Sequence, residues 1–456
     1  MLSKITTVCR HWREAALDCA TLWANIAFST TLPSTVQCAA LFLGRSKGAM
    51  LSVCVWDSAH PTGGPAATEA SKRLLEDISS QSHRILWCEL FSSSPDFWKY
   101  WSLPAPGLRK LVVEGCCVET PPVFGGVIPQ LQTLTSINNT PWTLGNYAAL
   151  RKAELHNYHQ HPPFATLLDA LEGCRMLEKL TLHGYTQMTQ DARGPSIILL
   201  PCLRQIDFSS CDSALILEHL DTPSLSGPAV IQDTSPRQHI LQSLPSTQRS
   251  TPYLEGVTEL HVVLEANRAQ YYVSGYRDDG RSAFSIVTRG VDHRFRRTWV
   301  LSSIEAVASS SHFSEVRALK LVTDGAVVPW KMWLRKLRHI RNLSVSCLKS
   351  EDLFTALLTT PEDGLPLCPS LRTLAISRCG RCANVDPSSL LELVLHRHWT
   401  GRPLRRLALH QDDWEFIRRL DMDKAWDYLT KLLCAYLSPH IKCFSLTIFQ
   451  LITETK

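Results

Sequence analysis

Hydrophobic and polar residues along this chain repeat a short phrase: an aliphatic residue, two mostly polar ones, then a run alternating apolar with polar. The phrase reads LRKLVVEGC from Leu108, LQTLTSINN from Leu131, LRKAELHNY from Leu150, LEKLTLHGY from Leu177 and LRQIDFSSC from Leu203. After an interruption it returns as VTELHVVLE from Val257, VRALKLVTD from Val316, IRNLSVSCL from Ile340, LRTLAISRC from Leu371 and LRRLALHQD from Leu404. Alternation with a period of two predicts a strand with one buried face. The first, fourth and sixth positions of each phrase are expected to point inward, and the third, fifth and seventh outward. The first five anchors are spaced by 23, 19, 27 and 26 residues. The last three are spaced by 31 and 33, which leaves room for a helix between strands.

This is the L-x-x-L-x-L-x-x-N/C cadence of a leucine-rich repeat, whose period runs to roughly 20–29 residues. The expected fold class is α/β, a leucine-rich-repeat solenoid with parallel strands on the concave face and helices or loops outside. Cys116, Asn139, Cys211 and Cys379 fall on the N/C position, where a small polar group turns the chain out of the strand. The outward positions form a mixed polar surface suited to another macromolecule. Its expected target-binding residues are Lys110, Glu114, Lys152, Glu154, His156, Lys179, His183 and Asp207 in the first block, with Arg406 and His410 in the second. His156 and His183 occupy the same position in successive repeats, so they are expected side by side as ordinary surface residues.

Other stretches read differently. Residues 1–29 are helical in pattern, and 30–105 form a transition region with an irregular first repeat in RILWCELF. Repeats occupy 106–220 and 253–411, separated by a Pro/Ser-rich loop or linker over 221–252. Tyr271–Val287 carries an Asp-Gly turn between two runs of β-formers, a hairpin inserted in the second block. The tail, 412–456, is expected to be a helical cap covering the last apolar edge.

The N-terminal stretch ITTVCRHWREAALDCATLWANI resembles the second half of an F-box: a V-C-x-x-W helix (Val8, Cys9, Trp12) followed by an L-W pair (Leu22, Trp23). With SHRILWCELF and the repeats, nearly the whole chain is similar to an expanded fungal group of F-box-like, leucine-rich-repeat proteins. The resemblance implies a short all-α segment that docks on the Skp-type adaptor of a cullin–RING ubiquitin ligase, while the repeats capture a target protein. Leu2, Ile5, Val8, Trp12 and Trp23 are the expected adaptor contacts. An F-box opens with a Leu-Pro-x-Glu helix, and this sequence begins past it, so the F-box expected here is partial. Two alternatives stay open: docking on the adaptor, or a helical cap that packs the same residues against the first repeat. In the second case the chain is a ligase-independent binding or scaffold protein.

Composition narrows the classes further. Hydrophobic residues at 45% and charged residues at 20% describe a folded chain. A net charge of +5, from 47 basic and 42 acidic residues, is too small and too evenly spread to point to nucleic acid. The most apolar stretch, near the C-terminus, is broken by Lys431, Pro439, His440 and Lys442, so no membrane span is expected. The 16 cysteines lack framework spacing and the N-terminal stretch does not read as a secretory signal, so reduced thiols in cytosol or nucleus are expected. Cys379 and Cys382 form the sole CxxC, without the second pair of a zinc finger, and His156, His159 and His161 lack the H-E-x-x-H spacing. No Walker loop, dinucleotide-binding glycines or G-x-S-x-G elbow occurs. A non-enzymatic recognition protein without cofactor or metal is expected.

Overall fold

Alternating side chains become strands because each phrase can bury one face only by lying beside the next. The computed structural model describes residues 9–57, 69–115, 123–138, 147–157, 164–185, 197–225, 229–233, 254, 256–265, 270–289, 302–303, 305–307, 313–323, 328–347, 351–359, 366–378, 387–411 and 443–448. The chain divides into two units: Met1–Leu225 with Ser246–Ser250, and Ser226–Pro245 with Thr251–Lys456. Both are mixed α/β and built on mostly parallel sheet.

The first unit's strands are β1 (Asn25–Ser29), β2 (Leu51–Asp57), β3 (Ile85–Ser92), β4 (Lys110–Glu114), β5 (Thr133–Ile137), β6 (Lys152–His156), β7 (Lys179–His183), β8 (Ile198–Leu199), β9 (Gln205–Ser209) and β10 (Leu220–Asp221). β1 to β7 and then β9 pair in chain order, every neighbour parallel. β8 and β10 form a separate parallel pair. The register aligns equivalent phrase positions: Leu111, Leu134, Ala153, Leu180 and Ile206 make one row, each at most 4% exposed. Each such residue loses water on both flanks to its neighbours in the row, a gain of about 1.5–3 kcal/mol for a fully buried aliphatic side chain. The ladder also extends through the loops, since Gln132, Arg151, Glu178 and Arg204 each donate a backbone N–H to the second position of the preceding phrase at 2.8–2.9 Å.

Helices of this unit are α1 (Arg10–Asp18), α2 (Pro33–Arg45), α3 (Glu69–Ser80), α4 (Pro95–Trp98), α5 (Phe164–Glu172) and α6 (Ser213–Glu218). The expectation of helix through residue 29 is corrected here. After α1 and a short turn of 3₁₀-helix, Asn25–Ser29 is strand, because Ile26 and Phe28 are buried while Asn25 and Ala27 are exposed. That is strand periodicity, so parallel pairing begins well before the regular phrases. Arg84 ties this early region together. Its guanidinium donates to Ala49 O at 2.9 and 2.6 Å, to Ser46 Oγ at 2.9 Å and to Gln81 Oε1. Ser46 caps the C-terminus of α2, where orphan carbonyls and the helix dipole favour a cation.

The second unit's strands are β11 (Ala229–Asp233), β12 (Val257–Glu265), β13 (Gln270–Arg277), β14 (Ser282–Arg289), β15 (Ala318–Thr323), β16 (Asn342–Cys347), β17 (Thr373–Arg378), β18 (Arg406–Gln411) and β19 (Cys443–Ile448). Its helices are α7 (Trp330–Lys336), α8 (Glu351–Leu358) and α9 (Pro387–Trp399). β12, β15, β16, β17, β18 and β19 pair in that order, all parallel. β13 and β14 form the antiparallel hairpin read from the Asp-Gly turn, and Gly280 there has φ +75°. β13 also pairs antiparallel with β12, and β14 pairs parallel with β11. Gly275 lies opposite Phe284, whose ring occupies the space a Cβ would need. Within the tail expected as a helical cap, Cys443–Ile448 is strand; the rest of 412–456 lies outside the described residues.

Arg397 on α9 is fully buried. It donates to the carbonyls of Cys368 (3.1 Å), Leu371 (3.3 Å) and Leu367 (3.5 Å), holding the turn that leads into β17. Burial drives its pKa down to about 10, so it stays cationic at neutral pH. Replacing Arg397 by Met strands those carbonyls and is expected to cost ~1–3 kcal/mol in chemical denaturation. Leu180→Asp and Leu374→Asp, at fully buried positions, each place an unpaired charge in a row. The expected loss is on the order of 3 kcal/mol or more, and wild-type denaturation midpoints for both variants would contradict the inward assignment.

Candidate recognition surface

Outward positions of the first unit's sheet fall into two chemically distinct groups. At β2–β4 the surface is aromatic. Trp56 on β2 stacks on Phe91 of β3, with centroids 6.0 Å apart and planes within 9°. Trp87, also on β3, donates Nε1–H to Glu89 Oε1 at 3.0 Å, and Lys110 Nζ lies 3.8 Å from the Trp87 ring centroid. Lys110 is also 3.8 Å from Glu89, so carboxylate, ammonium and indole hold one another. Trp56 and Trp87 nonetheless remain 43% and 42% exposed. Two exposed indoles on a strand face are the residue type that dominates interface energetics. On the same face Cys54 donates to Glu89 at 3.4 Å, and burial first, then the carboxylate, pushes its thiol up to about 12.

At β6, β7 and β9 the surface carries imidazoles and carboxylates. The register sets His156 beside His183, and the rings stack at 4.3 Å between centroids and 14° between planes. His156 Nε2 donates to Glu154 Oε1 at 2.9 Å. One rung away the register sets Glu154, Thr181 and Asp207 side by side. Glu154 is exposed, His156, His183 and Asp207 are half-buried, and Thr181 is buried at 5%, against its expected exposure. Burial lowers His183 below its ordinary 6.5; His156 adds to the shift, and Asp207 and Glu154 oppose it.

The other expected surface residues are dispersed. Lys152 and Glu114 are exposed and Lys179 half-buried in the first unit. In the second unit Arg406 is exposed, and the side chain of His410 lies outside the described residues. That unit's outward face also holds His261, which donates to Glu259 at 2.6 Å and packs against Tyr276 at 4.5 Å. Exposed Arg317, Arg341, Arg372 and Arg405, the second residues of four successive phrases, form a column of like charge just ahead of β15 to β18. The aromatic group Trp56, Trp87 and Phe91 was missed in the sequence; the alternation in LSVCVW and RILWCELF was the signal that could have placed it.

The expected adaptor contacts separate. Leu2, Ile5 and Val8 lie outside the described residues. Trp12, on α1, is 58% exposed, and its backbone N–H is capped by Cys9 Sγ at 3.5 Å. Trp23 is core at 2% exposure: it donates to Ala16 O at 2.6 Å, meets Phe42 edge-on at 5.1 Å and carries Arg45 over its ring at 4.5 Å. Burial of Trp23 removes it from any docking face in this conformation. Cys211, at the N/C position of its phrase, is buried and donates to Leu182 O and Ser209 O, whereas Cys379 and Cys382 fall outside the described residues. Among the described residues, no helix is long and apolar enough to cross a membrane. Compared with known proteins, the chain matches no protein-family model and no curated sequence.

The His183 shift has a definite sign. Its folded pKa lies below the unfolded value, so the unfolded chain binds the extra proton first as pH falls. Stability is therefore complete above the unfolded value and declines as pH drops below it. Melting curves between roughly pH 7 and 5 are expected to show that decline, less steeply in His183→Gln. Equal pH dependence in the two proteins would assign the decline to other groups.

Proposed function

We propose that this chain is the substrate-recognition subunit of a Skp/cullin/F-box-type ubiquitin ligase, capturing a target protein on the outward face of a leucine-rich-repeat solenoid. The observation that carries the recognition half is the aromatic group of Trp56, Phe91 and Trp87, whose two indoles are exposed, bordered by Lys110 and Glu89 on a parallel sheet. Aromatic anchors inside a polar rim are what a protein interface needs. Eight strands at about 4.8 Å spacing span roughly 34 Å, a scale suited to a folded partner or an extended peptide. Such a subunit does no chemistry of its own; it raises the effective concentration of the target's lysines near the ligase.

The ligase half rests on the V-C-x-x-W and L-W resemblance and on the exposure of Trp12. Burial of Trp23 favours the second reading, a ligase-independent repeat protein whose α1 segment seals the first strands. A pull-down of this chain with purified Skp-type adaptor separates the two. Binding lost in Trp12→Ala, with circular dichroism unchanged, is the expected result. No binding by the parent chain would overturn the ligase reading and leave the repeat surface as the functional part. For a captured target, Trp56→Ala and Trp87→Ala are each expected to weaken binding by about 2 kcal/mol. Unchanged affinity in both would move the interface off this face.

A further inference from the structure

We infer that Glu154, His156 and His183 form a site for a divalent transition metal of the zinc class, independent of the ligase reading. One ligand atom from each of the three lies within 4.8 Å of the others, on adjacent parallel strands. A tetrahedral zinc ion with bonds of about 2.0–2.2 Å holds its ligand atoms roughly 3.3 Å apart. The His156–Glu154 separation of 2.9 Å is a few tenths of an ångström short of that spacing, so a slight opening of the pair lets a metal ion take the place of the shared hydrogen. The His183 ligand atom lies within 4.8 Å of the other two, and rotation of its ring out of the stack completes the set. Two imidazoles and a carboxylate are a recurrent zinc donor set, which leaves the fourth position to water.

Asp207 supplies a second, independent observation. Its Oδ1 is buried without a hydrogen-bond partner among the described residues, one rung from His183, whose charged form it favours. A buried carboxylate oxygen with no donor is costly unless a cation or an oriented N–H answers it. Metal-bound histidines commonly direct their second ring N–H to such a carboxylate. Asp207 is placed to orient His183 in this way, and with Glu154 it supplies two negative charges against a divalent cation.

Cobalt titration of the chelator-treated full chain tests the site, because cobalt reports its donors by colour. The expected result is one equivalent of cobalt with nitrogen/oxygen d–d bands, free of thiolate charge transfer and displaced by zinc. His183→Gln and Glu154→Gln should each abolish that equivalent, and Asp207→Asn should weaken it by about tenfold. Glu154 is exposed, so its variant keeps the fold, and circular dichroism checks the others. Cobalt bound through thiolates alone, or with unchanged affinity in His183→Gln and Glu154→Gln, would overturn the proposal.

Discussion

The repeating strands among the described residues depend on their neighbours for the burial of their inward rows. An isolated phrase such as LEKLTLHGY leaves Leu177, Leu180 and Leu182 in water; beside its equivalents on either flank, all three are fully buried. The constraint is lateral, from strand to strand. It fixes the register, because a slip of one residue would turn the leucines out and the lysines in. It also explains why loops of unequal length are tolerated. The second-position hydrogen bonds and the inward rows repeat whatever lies between them.

Alternation has a second product. Once the first, fourth and sixth positions are committed to the core, the third, fifth and seventh are presented in columns with adjacent members about 4.8 Å apart. Columns turn sequence coincidences into chemistry. Two seventh-position histidines become a stacked pair with a carboxylate at hydrogen-bond distance. Trp56 and Phe91, distant in sequence, become an aromatic stack. Rigid backbone holds these groups in place, and helices and loops supply the opposite covering.

Much of this was legible in the residues. Leucine spacing placed ten strands, and the Asp-Gly turn located the hairpin. The His156–His183 neighbourhood followed from position alone, but the carboxylates that give it meaning required register between β6, β7 and β9. Less legible were features whose signal is local burial. The helical reading of residues 1–29 ran past Ala24 because Ile26 and Phe28 are too short a strand pattern to compete with the preceding helix. Arg84 and Arg397 look like surface charges in sequence; only the carbonyls converging on them reveal buried cations. Trp23 reads as half of an L-W signature, and its hydrogen bond to Ala16 O makes it core.

Hydroxyl-radical footprinting of the intact chain, read by mass spectrometry at the tryptophans, tests the inward–outward division most directly. The division predicts rapid modification of Trp12, Trp56, Trp87 and Trp399, and protection of Trp23, Trp98, Trp101 and Trp333. Modification of Trp23 and Trp98 at the rate of Trp56 and Trp87 would contradict it, and with it the proposed recognition surface.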